Sequence, residues 1–323
     1  MTSPSERTKQ TSSSPLPRPL WGIIPPMVTP LLDHDTLDVP GLERLIEHVL
    51  GGGVHGLFIL GTTGEGPSLS YRVRKEQIER TCRQVSGRVP VLVGITDTAF
   101  AESVRVAGVA AQAGAAAAVL APPYYFSPSQ AELLTYLEHL VPQLPLPLFL
   151  YNQPYQTKVP FEIDTVRRMA ELPGVVGIKD SSANMIYFHR LVALFQDRPD
   201  FTLLVGPEEL LAESVLLGGH GGVSGGANLC PRLYVQLYEA AHGRDLDRVA
   251  ALQRQVMRIT TRIYTLGGSG AGVVKGLKCA LSILGICDDC PAEPFQRFGP
   301  PERACIEQEL RDLGLLGGPG TTS

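Results

Sequence analysis

The chain has 323 residues, with 28 Lys and Arg against 32 Asp and Glu, a formal net charge of −4. Nucleic-acid binding without sequence preference needs a cationic excess to displace counterions, and the chain has neither that excess nor a basic block. At 44% hydrophobic and 19% charged the composition is globular, and no apolar run reaches the ~18 residues that would predict a membrane span.

In chain order, residues 1–19 are rich in Ser, Thr and Pro, lack an apolar signal core and read as a disordered leader. From Trp21 onward short apolar runs alternate with longer amphipathic ones. The predicted strands are Ile23–Val28, Gly56–Leu60, Val89–Gly94, Ala116–Ala121, Leu146–Tyr151, Val175–Lys179, Thr202–Val205 and Gly221–Ser224. Between and after them lie predicted helices Leu42–Leu50, Arg72–Val85, Ala101–Ala113, Gln130–Val141, Ile163–Glu171, Met185–Gln196, Glu208–Leu217 and Arg232–Ala241. The strands are continuously apolar, as strands buried on both faces of a parallel sheet are. Eight strand–helix pairs within 20–244 predict an α/β TIM (β/α)8 barrel. A doubly wound open sheet would carry a glycine fingerprint in its first turn, and none is there. Beyond Arg244, Asp247–Leu266, Val273–Leu284 and Glu302–Leu313 predict a C-terminal helical extension over 245–316, with 317–323 a disordered tail. The six cysteines, without a secretory signal, read as reduced thiols of a cytoplasmic protein, and Cys287-Asp288-Asp289-Cys290 as an incidental CxxC.

In such a barrel the chemistry sits where strands end at their carboxyl side. The second strand ends in Gly61-Thr62-Thr63-Gly64-Glu65-Gly66-Pro67. Its hydroxyls and backbone N–H groups can grip a carboxylate, or the segment is a turn whose threonines satisfy local backbone. Tyr151 ends the fifth strand; a phenol there relays protons or, more commonly, packs with one hydrogen bond. Lys179 ends the Val/Val/Gly/Ile run of the sixth. With its stem in apolar surroundings, desolvation disfavours an ammonium, and imine formation requires a neutral amine. The competing reading is a lysine paired with a carboxylate such as Glu65. The glycines around the eighth strand suit a phosphate or a close substrate approach, although Arg232 is the one cation nearby in sequence. His55 and His220 read as structural. No His-x-His pair or His/carboxylate cluster falls at strand ends, so neither a metal nor another cofactor is expected.

These strand ends resemble the dihydrodipicolinate synthase and N-acetylneuraminate lyase family of pyruvate-dependent class I aldolases. The carriers are GTTGEGPSLS (61–70), APPYYFSP (121–128), YNQP (151–154), GIKDSS (177–182) and GGVSGGAN (221–228), and the likeness runs from about Trp21 to Gly285. The resemblance implies that Lys179 forms the Schiff base with pyruvate and that Tyr151 shuttles protons. Thr62 would join that relay, and Thr63, with Gly61 in the same turn, would help bind the keto-acid carboxylate. Tyr125 would cross a tight dimer interface to complete the relay in the neighbouring subunit, and Val223 would offer a backbone contact to pyruvate. It further implies a homo-oligomer, a dimer of tight dimers.

Two departures bear on the aldehyde partner. Dihydrodipicolinate synthases carry an arginine two positions after the YNxP motif to hold a carboxylate, and this chain has Gln156 there. An amide does not replace a bidentate guanidinium. The usual small-residue run after the third strand is Gly94-Ile95-Thr96-Asp97-Thr98. Asp97, Thr98, Gln153 and Gln156 suit hydroxyl groups, so the expected reaction makes or cleaves a 2-keto-3-deoxy sugar acid from pyruvate and an aldehyde. The alternatives are 4-hydroxy-tetrahydrodipicolinate synthesis from pyruvate and aspartate semialdehyde, and a barrel that binds a keto acid without turnover.

Overall fold

The structure, a computed structural model, describes residues 16–268 and 271–316. Of the expected leader over 1–19, residues 1–15 lie outside the described residues, as does the expected tail over 317–323; residues 16–19 are described, and Leu16 packs on the barrel's interior cluster. Eight parallel strands form one sheet: β1 (Gly22–Ile23), β2 (Leu57–Ile59), β3 (Val91–Gly94), β4 (Ala117–Leu120), β5 (Leu148–Asn152), β6 (Val175–Asp180), β7 (Thr202–Val205) and β8 (Gly221–Gly222). Their order, β1-β8-β7-β6-β5-β4-β3-β2, is that of a TIM barrel.

The helices follow the predicted order, with one additional, unpredicted short turn after β5. They are α1 (Val39–Gly51), α2 (Tyr71–Val85), α3 (Phe100–Ala113), α4 (Gln130–Leu140), a single turn α5 (Pro154–Thr157), α6 (Ile163–Met169), α7 (Met185–Leu194), α8 (Leu211–Leu216) and α9 (Pro231–His242). The extension adds α10 (Leu246–Arg262), α11 (Gly272–Ile283) and α12 (Pro300–Asp312). Local chemistry accounts for several starts. Ser70 accepts the Val73 N–H to cap α2, and Ser129 with Glu132 forms a reciprocal capping box on α4. Among the described residues no helix is long and apolar enough to cross a membrane.

The predicted first strand is where the structure departs most from expectation. Regular pairing stops at Ile23, because Pro25 and Pro26 have no N–H to continue a ladder. The barrel closes instead through three backbone bonds: His55 N–H donates to the Ile23 carbonyl (2.8 Å), Met27 N–H to the Phe58 carbonyl (2.8 Å) and Phe58 N–H to the Pro25 carbonyl (2.9 Å).

Inward residues Ile24, Phe58, Leu92, Val119, Phe149, Val176 and Leu204 fill the barrel's interior, and Leu16 and Leu20 pack against this cluster. Outward residues such as Leu57, Leu150, Ile178 and Leu203 join the larger cluster formed with the helices. Between β5 and β6 the register shifts after Leu148, opposing Phe149 to Gly177. A Cβ on Gly177 would stand 2.7 Å from the Phe149 ring and 2.6 Å from the Thr202 carbonyl oxygen, so only glycine fits. Beyond the shift the pairing is regular, and it decides where the site residues fall.

Candidate active site

Tyr151 and Lys179 are direct neighbours in the β5–β6 register, as are Asn152 and Asp180. Inward alternation therefore aims the phenol and the amine into the same mouth. Both are buried, and Lys179 Nζ lies 4.0 Å from the Tyr151 ring centre and 5.1 Å from that of Phe58. Thr62 Oγ1 and the Tyr151 hydroxyl are 3.1 Å apart. Burial opposes ionisation of the Tyr151 phenol. The positive charge of Lys179 and hydrogen bonds with Thr62, Lys179 and Ser181 outweigh it, and the pKa ends below the ordinary tyrosine value.

Backbone strain helps shape the threonine turn. Leu60, before Gly61, has φ +59°, and Glu65 has φ +56°, a region that costs non-glycine residues of order 1–3 kcal/mol. The Leu60 carbonyl is pressed between two glycines: a Cβ on Gly66 or Gly94 would come within 2.2 or 2.3 Å of it. Glu65 does not pair with Lys179. It forms an ion pair with the fully buried Lys278 of α11, and its other oxygen accepts the Ala292 N–H (2.7 Å). Among the described residues no carboxylate lies within ion-pair distance of Lys179, so the carboxylate-paired reading of this lysine fails.

The β5 and β6 ends are locked by a buried amide–carboxylate link. Asn152 Nδ2 donates to Asp180 Oδ1 (2.8 Å), Asn152 Oδ1 accepts the Phe161 N–H (3.0 Å), and Ser182 donates twice to Asp180. Burial raises the Asp180 pKa, with the Asn152 and Ser182 bonds opposing it.

The mouth holds a cavity of about 490 Å³ lined by Lys179, Tyr151, Thr62, Thr63, Gln156 and Val223, among others. Val223 N–H donates to the Val205 carbonyl (2.8 Å), which leaves its own carbonyl as the backbone group it can offer. Gly61 lines a smaller chamber of about 160 Å³ that shares Thr62, Tyr151, Gln153 and Gln156 with the first.

Three expected residues are not brought to the cavity of their own chain; one of them, Thr98, is exposed and lines neither space. Asp97 accepts from Arg74 Nη1 (2.9 Å), the Tyr71 hydroxyl (3.0 Å) and the Ala99 N–H (3.0 Å), and lines neither space. Its carboxylate braces the start of α3; the sequence around it does not disclose that Arg74, on another helix, takes it. Tyr125 is 75% exposed, edge-on to Phe126 at 5.0 Å, and lies outside both linings.

Sequence reasoning missed Glu208, which follows β7 and lines the large cavity. Its carboxylate accepts from Gly226 N–H (2.8 Å), Tyr264 (3.0 Å) and Tyr234. Burial pushes its pKa up to about 7 against those three bonds. Its place at a strand end was the available signal. Tyr264, Val273 and Val274 come from the helical extension and also line the cavity; nothing in their local sequence announces that.

The model of the Dihydrodipicolinate synthetase family matches residues 19–311. The chain belongs to that family. A solved dihydrodipicolinate synthase from Bacteroides thetaiotaomicron is similar at 59% identity and TM-score 0.89, covering 92% of this chain and 99% of that one. A prophage protein of the dihydrodipicolinic acid synthase family from E. coli K12, solved in complex with pyruvate, is 31% identical with TM-score 0.86, covering 92% and 99%. The 4-hydroxy-tetrahydrodipicolinate synthase of Polynucleobacter asymbioticus is 32% identical over 262 residues, 80% of this chain and 84% of that protein. As a member of the dihydrodipicolinate synthetase family the protein is an enzyme, a lyase of the pyruvate aldolase type.

Proposed function

We propose that the protein joins pyruvate to, or releases it from, a neutral hydroxylated aldehyde, making or cleaving a 2-keto-3-deoxy sugar acid. One observation carries this reading: Lys179 is the only cation among the described residues lining the large cavity, which also holds Glu208 and Glu209. An aldehyde with its own carboxylate would meet two carboxyl groups and Gln156 where a guanidinium is needed. The competing reading is 4-hydroxy-tetrahydrodipicolinate synthesis, and the names of the relatives favour it. Against a barrel that only binds a keto acid stands the Tyr151–Thr62 contact, since binding needs no proton relay.

The steps follow from the groups in place. The Lys179 amine attacks C2 of pyruvate and water leaves, giving a protonated imine. That cation accepts the electrons of a C3–H bond as the proton departs, and the enamine adds to the aldehyde carbon. Hydrolysis frees the product and restores the amine; cleavage runs the steps in reverse. Tyr151 and Thr62 pass the protons, while the Thr63 hydroxyl and the N–H groups of the Gly61–Thr63 turn receive the pyruvate carboxylate; the Val223 carbonyl, an acceptor, serves a donor such as the protonated imine N–H. Tyr125, too exposed to serve its own site, completes the relay of a second copy in a tight dimer, itself paired into a tetramer.

Borohydride reduction with pyruvate, read by intact mass, tests the chemistry. The wild type gains a pyruvate-derived mass and Lys179→Ala gains none; an undiminished adduct in the variant refutes the assignment. A panel of aldehydes tests the substrate: aspartate semialdehyde outperforming glyceraldehyde and longer hydroxyaldehydes would establish the competing reading.

A further inference from the structure

Glu65 closes the turn that presents Thr62 and Thr63. Its N–H donates to the Thr62 carbonyl (3.0 Å), and the N–H of Gly66 donates to the Gly61 carbonyl (3.1 Å). The turn is gripped from two sides. Thr29, fully buried, donates to the Gly64 carbonyl (2.6 Å). From the extension, Lys278 pairs with the Glu65 carboxylate and donates to the Cys290 carbonyl (2.7 Å), while the other Glu65 oxygen accepts the Ala292 N–H (2.7 Å). Val274, one helical turn before Lys278 and on the same face of α11, lines the Lys179 cavity. An apolar pair of similar volume commonly serves folding as well as a buried ion pair does, so stability alone does not account for charges at this place. What the pair adds is direction: it holds Glu65 at its φ of +56°, where a glutamate stays only under restraint from its surroundings.

We infer that Lys278 is a positioning residue for the reaction. By holding Glu65 it fixes the turn, so that the Thr63 hydroxyl and the Gly61–Thr63 N–H groups stay aimed at the pyruvate carboxylate. This rests on the aldolase reading above and assigns α11 a part in it. Hydrogen bonds to a carboxylate weaken steeply as their donors move out of line, so a loosened turn loses carboxylate binding first. Thr62 depends less on the restraint, because its hydroxyl lies 3.1 Å from that of Tyr151, and Lys179 stands on β6, outside the turn. Imine formation with a ketone that has no carboxylate is therefore spared.

The experiment measures the efficiency of reductive trapping on Lys179 with pyruvate and with acetone, which carries a methyl group in place of the carboxylate, using cyanoborohydride and intact mass. The wild type favours pyruvate. Lys278→Met loses about tenfold of that preference, the worth of one charge-assisted hydrogen bond, with acetone trapping little changed. Should Lys278→Met not fold, the double change Glu65→Leu, Lys278→Met, which leaves no charge unpaired, takes its place and shows the same loss at restored stability. A merely structural pair would leave the preference unchanged in either folded variant or lower both ketones in parallel, and either result overturns the proposal, as does a wild type that treats the two ketones alike. Failure of the aldolase reading shows separately, as no pyruvate adduct on the wild type.

Discussion

Lys179 and Tyr151 owe their chemistry to each other's position. The phenol is fully surrounded, yet its pKa falls below the ordinary value because the lysine's charge and the Thr62, Lys179 and Ser181 hydrogen bonds overcome burial. Lys179→Ala removes the largest of those opposing influences. The Tyr151 titration, isolated as the tyrosinate absorbance lost in Tyr151→Phe, therefore moves to higher pH in Lys179→Ala; an unmoved titration contradicts the coupling. Tyr151→Phe lowers kcat by about 10²–10⁴, the usual worth of a positioned proton-transfer group. At this scale the sequence was informative where a residue's role depends on its strand, as for Lys179 and Tyr151. It was uninformative where the role depends on a distant partner: nothing near Asp97 tells that Arg74 and Tyr71 occupy it.

The elements that close the barrel depend on two neutral histidines. Ile23 N–H donates to His55 Nδ1 (3.2 Å) and Leu203 N–H to His220 Nδ1 (2.9 Å). An N–H can donate only to an unprotonated nitrogen, so both rings are neutral there. Burial lowers both pKa values, with Glu239 partly opposing it at His55. The unfolded chain protonates its histidines near pH 6.5 while the folded one resists. Unfolding then takes up protons, and this contribution to stability is lost as pH falls below about 6.5. Glu208 acts in the opposite sense: its pKa, about 7 when folded, lies above its unfolded value, so stability is gained as pH falls through that window. The informative quantity is thus the difference between the wild type and a His55→Gln, His220→Gln variant. Acidification from about pH 7 to 5 lowers the wild-type Tm relative to the variant's; parallel Tm curves refute the assignment. Apolar runs revealed these strands, but Pro25 and Pro26 cut the first one short, and its neighbour β2 takes up the closure.

At the scale of the whole molecule, the extension helps line the candidate active-site cavity. Tyr264 reaches Glu208, and Lys278 of α11 pairs with Glu65 in the threonine turn with both side chains buried. Removing one member of a buried ion pair strands the other's charge. Lys278→Met is thus expected to cost about 3–5 kcal/mol, and the double change with Glu65→Leu to recover most of it. Chemical denaturation of the four proteins measures this, and additive losses would show that the two groups do not interact.

By itself the sequence determined the barrel, the order of its elements and the family, because hydrophobic periodicity and strand-end motifs are local. It also placed Lys179, Tyr151 and Thr62, since strand-end residues of a parallel barrel share one mouth. The tertiary structure alone decided that Asp97 is occupied by Arg74, that Glu65 pairs with Lys278, and that Glu208 and Tyr264 line the cavity. Each of these joins residues far apart in the chain, and a charge or a hydroxyl carries no mark of which distant group will fill its bonds once water is excluded.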